Sequence, residues 1–114
     1  MAQHWARRAR SEARVGRAFF AMVPRLRAVG AAPLVLSLLE ISAQDEQVHA
    51  EICRQLSVSY AGKELELATE AVDYEVKLPE FGCEDERLEM ALLVAGMCCV
   101  NETIATAWIE ANLA

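Results

Sequence analysis

Four residues, Gly30-Ala31-Ala32-Pro33, constrain this chain most, because the long apolar patterns on both sides of them have a helical period. Glycine suits the left-handed position that ends a helix, and proline suits the first turn of the next. The tetrapeptide reads as a tight connection, and so short a link makes its two helices antiparallel neighbours. Before it, from about 3 to 29, the stripe is Trp5, Val15, Phe19, Met22, Leu26 and Val29, in steps of three and four. Arg8 and Glu12 take the remaining two places. Arg8 can reach outward along its stem, whereas Glu12 lies deeper, between Trp5 and Phe19, and needs a partner. Pro24 falls inside the pattern and is expected to kink or divide the helix.

The second helix, from about 33 to 60, carries the stripe Val35, Leu39, Ser42, Glu46, His49, Cys53, Leu56 and Tyr60. Glu46 and His49 thus share its inward face, three residues apart, where a carboxylate and an imidazole can converge on one cation. Glu12 precedes Ala31 by nineteen residues, while Glu46 and His49 follow it by fifteen and eighteen. At about 1.5 Å per residue, the three groups lie level on antiparallel helices.

Residues 61–83 break the period with Gly62, Pro79 and Gly82, and Val72, Tyr74, Val76 and Leu78 alternate as an extended segment would. A connection of this length serves to cross a helical bundle from end to end. Glu84-Asp85-Glu86 then suits the positive end of a helix dipole. A third helix from about 84 to 113 follows, with the stripe Leu88, Leu92, Ala95, Cys99, Glu102, Thr106, Ile109 and Leu113. Glu102 is again an acid on an apolar stripe.

With 114 residues, 54% of them hydrophobic, and only five Gly and three Pro, the chain is expected to be one all-α domain, residues 1–114. Its net charge of −6 is unevenly spread, since residues 1–30 hold seven Arg against one acid. An Arg-rich start suits a targeting peptide or a nucleic-acid contact, but a helix with arginine on its wet side, facing acidic helices, accounts for it better. The acidic balance disfavours a nucleic-acid partner. The longest apolar run, 28–39, is too short to span a membrane, and arginines throughout 7–27 leave no signal-peptide core. Cys53, Cys83, Cys98 and Cys99 form no Cys-x-x-Cys pair and read as free thiols in a reducing cytoplasm.

Taken singly, each inward acid is as well explained by a solvated bundle edge or by pairing with Arg8 or Arg54. Together they favour a site, because burying three carboxylates is costly and a divalent metal compensates their charge. Carboxylate oxygen with imidazole suits iron or manganese, with zinc as the alternative.

These motifs, with Ser11-Glu12-Ala13, Asp45-Glu46-Gln47-Val48-His49-Ala50, Tyr60-Ala61-Gly62 and Asn101-Glu102-Thr103, resemble the ferritin-like di-metal carboxylate superfamily. Its bundles use a Glu on one helix, Glu-x-x-His on the next, a Glu on the third and, in most oxidase members, a second Glu-x-x-His on the fourth. The resemblance implies that Glu12 and His49 bind one metal, Glu46 bridges and Glu102 binds the second, with Asp45 orienting a ligand imidazole from behind. It also implies dioxygen reduction at two ferrous ions acting on a small-molecule substrate, or ferritin-type iron oxidation and storage. The chain ends within the third helix and contains no second Glu-x-x-His, so a bundle lacking its fourth helix is expected. A missing segment, a homo-oligomer or a partner helix would complete it. A metal-free helical module that self-associates or receives a partner helix is the competing expectation.

Overall fold

A computed structural model describes residues 1–65 and 76–113. Among these residues, all regular structure is helical, as expected, and forms three helices. The chain divides into two compact units, Met1–Leu78 and Pro79–Ala114.

The first unit is a helical hairpin. Helix α1 spans Ala2–Ala28 and helix α2 spans Pro33–Ala61, with Pro33 in the first turn of α2. Gly30 between them has φ of 78°, a left-handed conformation that glycine adopts without a Cβ clash. Gly62 ends α2 in the same way, with φ of 72° and its N–H donated to the Val58 carbonyl at 2.8 Å. α1 continues through Pro24 without dividing.

Three contacts show the helices to be antiparallel: Arg27 with Glu40 (3.4 Å), Gln47 Nε2 to the Ala13 carbonyl (3.5 Å) and Ser57 Oγ to the Ala2 carbonyl (3.0 Å). α1 buries Gly16, Ala18, Phe19, Met22, Val23 and Leu26, and α2 buries Leu39, Ala43, Glu46, Cys53 and Ser57. Arg7, Arg10, Arg14 and Arg17, again in steps of three and four, form an exposed ridge on α1. α2 also carries an outward apolar stripe, in which Leu34, Leu38, Ile41, Val48 and Ile52 are each about half exposed or more.

In the second unit, α3 (Glu86–Val94) passes through a π-helical stretch, Ala95–Val100, into α4 (Asn101–Leu113). Asp85 caps α3, its Oδ1 accepting the Arg87 N–H at 2.9 Å. Glu89 is only 4% exposed and gathers in the preceding loop, accepting the N–H groups of Phe81 (2.6 Å) and Cys83 (2.9 Å).

The expected inward stripe of the third helix requires correction. Leu88, Leu92, Ala95, Cys99, Glu102 and Thr106 are exposed, and the buried residues are Glu89, Met90 and Leu93. The predicted face was one position off along α3. It also assumed an unbroken α period, whereas a π turn takes an extra residue and rotates everything after it. The alternation read between 72 and 78 lies partly outside the described residues, and Val76 and Leu78 form no strand.

Candidate metal centre

Glu12, Glu46 and His49 converge within the first unit. One potential ligand atom from each lies within 4.8 Å of the others. Glu12 comes from the N-terminal half of α1, and Glu46 and His49 from successive turns of α2. The antiparallel pairing set by the short Gly30–Pro33 link brings them level. The carboxylate side chains are largely withdrawn from solvent, Glu12 at 12% and Glu46 at 10% exposure, while His49 is 56% exposed. The site therefore has buried anionic walls and an accessible imidazole.

Each member has a neighbour that bears on its charge. Arg8, one turn before Glu12, forms an ion pair with it. His49 Nδ1 lies 3.5 Å from Glu46 Oε2. Cys53, one turn beyond His49, is buried, and its thiol is pushed up first by burial and then by the negative charge of Glu12, against a smaller opposing effect of Arg8. That keeps the sulfur protonated beside the carboxylates.

The donor set fits a divalent transition metal. Two carboxylates supply hard oxygens and one imidazole supplies borderline nitrogen, a combination suited to iron, manganese or zinc. A cation would take over the charge compensation of Glu12 that Arg8 now provides. Of the two arginines considered as partners for the inward acids, Arg8 does pair with one. Arg54 instead grips Glu51 through two hydrogen bonds, at 2.7 and 2.8 Å, and also reaches Glu64.

Glu102 stands in the second unit, exposed in the first turn of α4, and is not one of the three converging groups. Asp45 is exposed on the outward stripe of α2, between Ile41 and Val48. His4 is exposed and meets the Trp5 ring edge-on, with centroids 5.5 Å apart. A groove of about 380 Å³ between α1 and α2 is floored by Ala9, Ala13 and Ala50, and none of the candidate ligands lines it. Arg10, Arg54, Glu51 and Glu64 border that groove as charged groups. Sequence periodicity did not single out Gly16 or Glu89, because the role of each depends on what packs against it.

Comparison of the chain with protein-family models, curated proteins and solved structures gives no match. Among the described residues, no helix is long and apolar enough to cross a membrane.

Proposed function

We propose that the α1–α2 hairpin binds a divalent transition metal, iron or manganese, through Glu12, Glu46 and His49, in the manner of the ferritin-like carboxylate proteins the sequence resembles. The observation that carries this reading is the convergence of three ligand atoms within 4.8 Å from two helices. Glu46 supplies a buried anionic anchor, Glu12 the facing carboxylate and His49 the accessible nitrogen. A ferrous ion there would supply electrons for dioxygen chemistry on a small molecule, or would itself be the substrate in iron oxidation and storage. Arg8 holds Glu12 ready and withdraws as the cation enters. In this reading Glu102, assisted by Asp45, belongs to a second metal position completed by a further helix, from a second copy or a partner. The cytoplasm, where ferrous iron and manganese are available, is the proposed location.

Anaerobic equilibrium dialysis against ferrous or manganous ion, followed by elemental analysis, tests the reading. About one ion per chain is expected, with Glu46→Ala and His49→Ala each lowering affinity by about tenfold or more. Arg54→Ala, outside the trio, serves as the control and should bind normally. Absence of stoichiometric metal in the wild type, or retention in Glu46→Ala, would sink it.

A second reading, a metal-free helical interaction module, is favoured by one observation. The stripe Leu34, Leu38, Ile41, Val48 and Ile52 leaves apolar side chains open to water on one face of α2.

A further inference from the structure

We infer that Gly16 is a positioning residue for the metal centre, holding α1 and α2 close enough to favour small divalent ions over larger ones. The inference rests on Glu12, Glu46 and His49 being ligands. Gly16 is buried in the interior of α1, one turn after Glu12. A Cβ built there would lie 2.4 Å from Gln47 Nε2, 3.0 Å from the Ala43 carbonyl oxygen and 3.1 Å from Glu46 Cβ. The first contact involves the tip of a flexible side chain, which can swing aside. The other two involve the backbone of α2 and the first side-chain atom of a ligand, and no change of rotamer relieves them.

Glycine is a poor residue for a helix interior, where it loses more conformational freedom on folding than any other. At this position its lack of a Cβ lets the backbone of α1 rest on α2 beside Glu46. An added methyl group requires α2 to withdraw by a few tenths of an ångström. Glu46 moves with α2, whereas Glu12 stays with α1, so the two carboxylates part. Oxygen and nitrogen ligands approach zinc-sized ions to about 2.0–2.2 Å, and departures of about 0.2 Å mark a poorly matched site. Opening the site therefore penalises small ions and spares large ones.

The test is a binding series on the full chain with cobalt, zinc and cadmium ions, comparing wild type with Gly16→Ala. Cobalt and zinc affinities should fall by about tenfold or more and cadmium affinity by about twofold or less, with helical content by circular dichroism preserved. Equal affinities in the two proteins, or a uniform loss across the three ions, would overturn the inference while leaving the metal site standing. A wild type that binds none of the ions would overturn the site and the inference together. If Gly16→Ala does not fold, Gly16→Ala with Gln47→Ala removes the closest contact, keeps the backbone clash and carries the same expectations.

Discussion

Glu51 and Glu12 are both carboxylates on the hairpin, each with an arginine one turn or less away, yet their surroundings differ. Glu51 is exposed, and the two-pronged grip of Arg54, aided by Gln55, holds its carboxyl down at about 2. Because that value lies below the ordinary carboxylate range, the Arg54 contact helps the folded state at and above ordinary carboxylate pKa values. The help fades as pH falls towards about 2. A carbon-13 titration should find Glu51 still ionised at pH 3, and Arg54→Ala should return its midpoint to the usual range; an unchanged midpoint would contradict the geometry. The cysteines show a parallel contrast. Cys53 alone is fully buried, Cys83 and Cys98 are partly covered and Cys99 is exposed, so apolar surroundings describe only part of the set. Burial pushes the Cys98 thiol up to about 11, helped by Cys99 and Glu102.

Among the elements, the α1–α2 hairpin was the most legible in sequence. Its signals are local: an unbroken heptad-like stripe on each side of Gly30 and Pro33, and ligand positions that depend only on counting residues from the turn. Convergence of Glu12, Glu46 and His49 follows from that counting. The third helix was less legible, because its buried face depends on contacts and on a π stretch that the period of Leu88, Leu92 and Cys99 does not announce. Glu89 shows the difficulty. In sequence it is one acid in a run of four, yet in the fold it binds the two backbone N–H groups of Phe81 and Cys83. Glu89→Ala should destabilise the second unit by about 3 kcal/mol, since it leaves two covered donors without an acceptor. Hydrogen exchange should show the Phe81 and Cys83 amides losing protection. Glu89→Gln should recover part of it, because the amide oxygen can still accept, and full protection in Glu89→Ala would refute the assignment. Gly16 escaped notice for a related reason: an isolated glycine in a helical pattern reads as a weak point until its neighbour is known.

For the whole molecule, the outward stripe of α2 bears on association. Leu38 is 55% and Ile41 53% exposed, in the middle of the stripe that ends near Ile52. Contiguous exposed apolar surface of this kind marks an interaction face. Sedimentation velocity should find concentration-dependent association of the wild type that is abolished by Leu38→Lys with Ile41→Lys; a strictly monomeric wild type that also ignores amphipathic peptides would remove the second reading. The π stretch Ala95–Val100 affects a different property, tolerance of changes in length. It holds one residue more than an α turn requires, so losing one residue there would swing α4 by about 100° and draw it back by about 1.5 Å. Substitutions along α4 change what its surface displays, whereas an insertion or deletion in this turn changes where that surface points. The direction in which Glu102 faces is thus set by chain length rather than by side-chain chemistry.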